Sequence, residues 1–328
     1  MEFDELEVVM DVGADFRAGY TAEESLRNPP GPYEVVTVGT TDGAKIHVRA
    51  YGPKNAPAVV FVHGFACRLE YWNPQINSLS RRYRVIAYDQ RGLGRSTMGS
   101  AGVRPDVLGD DLAAVLDAMV SPGRPAVITG HSFGGITVMA WAQSHPEQVR
   151  SHASAVLLAN TIADRFRANT AIMPFAGRYG FVRGPLLSAI MRSRAWLPER
   201  APITRAVRSI AMSPQATLKQ ADFLRVMVAG VAVRTRVLWG SGLFDLDVRG
   251  GLEHLTVPCT VLVGSVDRLT PPMAARQIVA ILRSHGGIPK FVEMVGIGHC
   301  SNIQASAEFD AEVIELLEMT RPRTTAND

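Results

Sequence analysis

Cysteine is scarce in this chain: Cys67, Cys259 and Cys300 are the three among 328 residues, and none stands in a C-x-x-C spacing. A disulfide framework and a thiolate zinc site are therefore both excluded as the basis of the fold. Lysine is scarcer still for its class, occurring only at 45, 54, 219 and 290, so arginine supplies almost all of the positive charge. No run of eighteen apolar residues occurs, which leaves no candidate for a spanning helix. The segment Met1–Asp15 is acidic and has neither a basic start nor an apolar stretch, so a secretory signal is not expected and a cytoplasmic location is. Large charge imbalance is absent too. With 47% hydrophobic residues and a net charge of +3, the composition is that of an ordinary folded chain rather than a disordered one.

What is present is alternation. Short apolar runs bounded by turn residues read as strands at 34–38, 45–51, 58–62, 84–88, 126–129, 155–159, 260–263 and 290–294. The runs beginning at Ala58, Ala126, Ala155 and Thr260 are apolar throughout, as strands covered on both faces must be. The runs at 34–38 and 45–51 flank Thr41-Asp42-Gly43-Ala44 and read as an antiparallel hairpin. Helical spacing fills the gaps at 69–83, 104–120, 133–144, 272–285 and 309–319. Strand–helix alternation of this kind predicts an α/β fold, a mostly parallel sheet with helices on both faces.

The alternation lapses between 161 and 251, where the sequence offers helical segments interrupted by Pro174, Pro185, Pro198, Pro202 and Pro214. The expected organisation is a core of 1–160 and 252–328 with a helical cap, 161–251, inserted at one point of the sheet. Residues 161–250 carry fourteen Arg or Lys against five Asp or Glu, a net of +9. They also carry apolar side chains, among them Ile172, Met173, Phe175, Phe181, Leu186 and Trp196. That combination suits a lid over an apolar acyl pocket, with a basic rim able to meet an anionic lipid surface or headgroup. No aromatic-interleaved basic motif points to nucleic acid.

The strongest chemical signal is Gly130-His131-Ser132-Phe133-Gly134-Gly135, lying directly between a strand and a helix. A serine in Gly-x-Ser-x-Gly at that junction sits on a sharp turn that exposes its hydroxyl, and the glycines are needed for close packing. Such a hydroxyl needs a base to take its proton and an anion to orient the base. Asp267 follows the strand 260–263 and His299 follows 290–294, so Ser132, Asp267 and His299 all fall at C-terminal strand ends. Asp245 and Asp247 are rival acids. The oxyanion of an acyl-transfer intermediate also needs backbone donors. The N–H groups of Phe133, next after the serine, and of Phe65, in His63-Gly64-Phe65-Ala66, are the candidates, with His63 expected to hold the loop rather than act chemically.

Together with Asp89-Gln90-Arg91-Gly92-Leu93-Gly94-Arg95-Ser96, Gly264-x-x-Asp267 and Gly298-His299, these motifs resemble the α/β-hydrolase superfamily. The resemblance implies an eight-stranded sheet, a Ser–His–Asp triad, no cofactor or metal, and a cap after the sixth strand. It makes Asp89, Arg91 and Ser96 scaffolding. Departures narrow the choice within the superfamily. Ser132 stands where epoxide hydrolases and haloalkane dehalogenases use Asp, and Ala66 where epoxide hydrolases tend to have Pro. Cys300 stands where carbon–carbon bond hydrolases commonly have Trp. Cofactor-free haloperoxidase-like esterases share the Gly-His-Ser elbow. The expected activity is serine-dependent cleavage of carboxylic esters, of medium- or long-chain acyl or lipid type. A carbon–carbon bond hydrolase and a non-catalytic binding protein on the same scaffold are the alternatives.

Overall fold

The computed structural model describes residues 7–10, 23–164, 201–242 and 246–320. The apolar cap residues between Ile172 and Leu197, and the rival acid Asp245, lie outside the described residues.

Nine strands form one sheet. They are β1 (Glu7–Met10), β2 (Tyr33–Gly39), β3 (Lys45–Tyr51), β4 (Ala58–Val62), β5 (Arg84–Tyr88), β6 (Ala126–His131), β7 (Ala153–Ala159), β8 (Cys259–Gly264) and β9 (Lys290–Met294). Their order across the sheet is β1-β9-β8-β7-β6-β4-β5-β3-β2. The hairpin partners β2 and β3 are antiparallel, as are β3 and β5, and every other neighbouring pair is parallel. All eight strands expected from the sequence are present. The ninth, β1, adds to the β9 edge. Its four residues, Glu-Val-Val-Met, are too short a run between acidic flanks to announce a strand, and it exists by pairing with an edge already formed.

The period of two along each strand divides the core. In β4, Val60 and Val62 join one buried cluster while Val59 and Phe61 join the other. The first cluster is completed by α2 (Pro105–Met119), α3 (Phe133–Ser144) and α8 (Pro272–Ser284), the second by α1 (Asn73–Leu79) and α9 (Ser306–Met319). Helix α3 is buried on nearly every side, which its sequence Phe-Gly-Gly-Ile-Thr-Val-Met-Ala-Trp-Ala permits, since it offers no charged residue to place in water. A short helix, α4 (Pro146–His152), turns the chain from α3 into β7.

Between β7 and β8 the described residues form α5 (Ala201–Ala211), α6 (Leu218–Ala229) and α7 (Val233–Gly242). Pro202 does not interrupt α5. It occupies the first turn, where the N–H it lacks would have had no intrahelical acceptor. Pro214 lies in the 212–217 connection. Thr217 opens α6 with a capping box: its hydroxyl accepts from the Gln220 amide while Gln220 accepts from the Thr217 amide. Ala211, Met212, Ala221, Leu224 and Met227 belong to the second core cluster and Trp239 to the first. The described helices of the insertion thus pack into both halves of the core.

Candidate active site

Strand β6 runs straight into α3, and the residue at the junction takes the strain. Ser132 has φ 55° and ψ −119°, a left-handed conformation that L-residues rarely occupy. Such a turn closes only if the neighbours are bare. A Cβ on Gly134 would lie 2.0 Å from the Val62 carbonyl oxygen, and one on Gly130 would lie 2.5 Å from that of Gly134. The Ser132 amide donates to Ala159 O and its carbonyl accepts from Thr161 Oγ1, so the elbow is tied to the end of β7.

The loops after β8 and β9 bring two more groups to that point. His299 Nε2 lies 2.9 Å from Ser132 Oγ, and His299 Nδ1 lies 2.9 Å from Asp267 Oδ2. Asp267 is enclosed: Oδ2 also accepts from Asn160 Nδ2 at 2.9 Å and Thr270 Oγ1 at 2.7 Å, and Oδ1 accepts from the amides of Leu269 and Thr270. Burial alone would raise this carboxyl, but His299, Asn160 and Thr270 outweigh it and hold Asp267 below the ordinary carboxylate value. An ionised Asp267 fixes the Nδ1–H tautomer of His299, which leaves Nε2 as the acceptor facing the serine hydroxyl. The rival Asp247 instead pairs with Arg249 in a half-exposed salt bridge at 2.5 Å.

Of the two candidate oxyanion donors, Phe133 is the first residue of α3, where an N–H has no intrahelical acceptor. Phe65 lies in the loop after β4, and a Cβ on its neighbour Gly64 would sit 3.2 Å from Ser132 Cβ, so this loop runs against the elbow. Among the described residues neither amide makes a hydrogen bond. His63 holds the loop: its Nε2 accepts from the Gln90 amide, which leaves Nδ1–H to donate to Gly64 O, while Gln90 Nε2 donates to His63 O. Burial lowers His63 to about 4, so it stays neutral there. Asp89 caps the amides of Leu69 and Arg95, Ser96 Oγ donates to Asp89 O, and Arg91 is bidentate to Asp111. These three brace the loop beside the site and do not touch Ser132.

Sequence reasoning did not single out Asn160, Thr270 or His131 for roles at the site. Asn160 is the first residue past β7, at the same sheet edge as the others, and that position was a usable signal. Thr270 is three residues beyond Asp267, the reach of an aspartate-centred turn. His131 Nε2 donates to the carbonyl of His299 at 2.7 Å, with the Tyr71 hydroxyl 3.3 Å away, a contact 168 residues distant in sequence that no local pattern reveals. Burial first, and then the neighbouring His299, lower His131 to about 3, so no second positive ring faces His299.

All three thiols are buried and free, with Cys259 and Cys300 pushed up to about 12 by burial, which removes them as nucleophiles. Among the described residues no cluster of side chains could hold a metal ion, and no helix is long and apolar enough to cross a membrane.

The profile of a family described as "Alpha/beta hydrolase family" matches residues 59–312. The chain is 41% identical over 287 residues to a non-heme chloroperoxidase of Streptomyces lividans, covering 77% of this chain and 92% of that one. It is 27% identical to 3-oxoadipate enol-lactonase 2 of Acinetobacter baylyi, covering 84% and 93%. An esterase from Exiguobacterium antarcticum superposes with a TM-score of 0.70 at 19% identity, covering 86% of this chain and 99% of that one, a likeness of fold.

Proposed function

The chain belongs to the alpha/beta hydrolase family, and from that premise we propose that it is a serine hydrolase of carboxylic esters acting through an acyl-Ser132 intermediate. The observation that carries the reading is the unbroken contact from Ser132 Oγ through His299 to Asp267, mounted on a strained elbow. Strain held at a nucleophile and nowhere needed for packing suits a group that must stand clear of the backbone.

In this reading His299 Nε2 takes the Ser132 proton as Oγ adds to the ester carbonyl. Asp267 keeps the imidazolium oriented and compensates its charge. The N–H groups of Phe65 and Phe133 receive the developing oxyanion, where their lack of other partners means no bond is given up. The intermediate collapses as His299 passes its proton to the leaving alkoxide. Water, deprotonated by His299, then adds to the acyl carbonyl and releases the acid and Ser132. Asn160 and Thr270 both donate to Asp267; Thr270 Oγ1 also lies 3.1 Å from His299 Nδ1, and Asn160 also donates to Gly298 O. No metal or cofactor is part of this scheme.

Medium- or long-chain acyl esters, with the insertion as lid, are the substrate class we infer. Hydrolysis of p-nitrophenyl esters from acetyl to palmitoyl tests it. Activity should peak at one of the longer chains, and Ser132→Ala should lower kcat by on the order of 10⁶. A rate that falls steadily from acetyl onward would refute the chain-length assignment; Ser132→Ala at wild-type rate would refute the mechanism. The identity with a chloroperoxidase favours a second use of the same intermediate, in which hydrogen peroxide replaces water and the product is a peracid. Peracid should then accumulate when peroxide is added to the ester assay, and its absence would remove that reading.

A further inference from the structure

The backbone on either side of His299 is held at four places. Gly298 O accepts from Asn160 Nδ2 at 3.3 Å, and His299 O accepts from His131 Nε2 at 2.7 Å. Both come from the β6 and β7 ends of the sheet. The other two anchors lead to the insertion. The Cys300 amide donates to Ala211 O, the last residue of α5, at 3.2 Å. The Gly298 amide donates to Gln304 Oε1 at 3.2 Å, and that same oxygen accepts from the Ser213 amide at 3.3 Å while Gln304 Nε2 donates to Ser213 Oγ at 2.7 Å. Gln304 is thus a strut with one face on the loop of the base and the other on the insertion.

The fit is close. A Cβ on Gly298 would lie 2.6 Å from the Met212 carbonyl carbon and 2.9 Å from the Ser213 nitrogen, so the residue before the base is bare because the insertion's backbone runs against it. Met212 and Ser213 are themselves buried, and Gln220 Nε2, from α6, donates to Ile303 O at 2.8 Å one residue from the strut. Segment 211–213 therefore behaves as a wall of the base's loop.

Resting on the reading of His299 as the base, we propose that Ala211–Ser213 and Gln304 form a positioning bracket for His299, so that the seating of this part of the insertion sets the geometry of the base. A lid that only covered substrate would need no bond to the loop that carries the proton acceptor. Here a shift of 211–213 withdraws the Ala211 anchor directly and strips Gln304 of its hold on Ser213, which loosens the Gly298 anchor.

Gln304→Ala removes the acceptor from both amides, while Gln304→Glu keeps it. Both variants, Ser132→Ala and wild type are compared for labelling of Ser132 by a fluorophosphonate, for kcat per site titrated with that probe, and for KM. Gln304→Ala should lower the labelling rate and kcat per titrated site by about 10–100-fold, as a displacement of about 1 Å does. KM should change by less than about threefold. Gln304→Glu should restore most of kcat. A fall in thermal midpoint or in titratable fraction with unchanged rate per site would mean that Gln304 only supports the fold, and would overturn the bracket. Wild-type protein that Ser132-directed probe does not label would overturn the reading of His299 itself, and the bracket with it.

Discussion

At residue scale the site is decided by which side chains are missing as much as by which are present. Gly134 shows why. Its Cα faces the Val62 carbonyl so closely that Gly134→Ala must push the end of β4 away from the elbow, and that end leads directly into the His63–Ala66 loop. The expected cost is about 1–3 kcal/mol of stability, together with a loss of kcat as the Phe65 amide moves. Gly123→Ala is the matched control, because its Cβ would meet nothing within 4 Å in an exposed turn. Urea unfolding of the two variants should separate them clearly; equal midpoints would contradict the close approach. This scale was also the most legible from sequence. Ser132, Asp267 and His299 could be chosen because each follows an apolar run, and position relative to a strand end is a local property. Asn160 offered only its place at the end of an apolar run, and His131 and Gln304 offered nothing local, because what they do depends on a carbonyl more than a hundred residues away or on which face of a loop a neighbouring backbone covers.

At the scale of elements, buried parallel strands were legible to within two residues, since a run apolar on both faces has few other places to go. The elements that escaped notice are those made by their surroundings: β1, which borrows an edge, and α4, seven residues that a helix needs neighbours to hold. Helix α7 falls where helical segments were expected, between β7 and β8, and it tests whether this stretch is part of the core. Trp239 is fully buried against Phe133, with ring centroids 4.6 Å apart, and its Nε1 donates to Arg91 O at 3.1 Å. It thus links α7 to the first turn of α3 and to the loop braced by Asp111. Trp239→Ala should cost about 3–5 kcal/mol in urea unfolding, and Trp239→Phe, which keeps most of the ring contact, about 1 kcal/mol for the lost hydrogen bond. A Trp239→Ala protein of wild-type stability would show α7 to be an appendage. The strong loss expected here fits the wider pattern, in which the insertion's described helices share both core clusters rather than closing over a core of their own.

For the whole molecule, three of its buried titratable groups make opposed contributions to stability near neutral pH. His63 and His131 are neutral in the fold, at about 4 and about 3, against an ordinary value of 6.5. Their contribution is complete above 6.5, declines below it as the unfolded chain takes up protons that the fold refuses, and is lost as pH falls through those two values. Asp310 acts in the opposite sense. Burial raises it from 3.8 to about 7, despite hydrogen bonds from Ser78 and Gln75, with Glu308 adding a little. The folded protein therefore binds a proton that the unfolded chain has released across that window. The stability this supports is complete below 3.8 and lost as pH rises through about 7. With two groups favouring the higher pH and one the lower, the joint contribution of these three is greatest near pH 6–7, rising steeply on the acid side and falling gently on the other. Asp310→Asn tests the assignment, since the amide oxygen can still accept from Gln75 Nε2, now 3.1 Å from the carboxyl. At pH 8 the variant should gain on the order of a few kcal/mol over wild type, the cost of a buried charge, and at pH 4 it should gain almost nothing. Urea midpoints measured at both pH values check this. A gain of the same size at both would mean that packing, and not the charge on Asp310, limits the alkaline side.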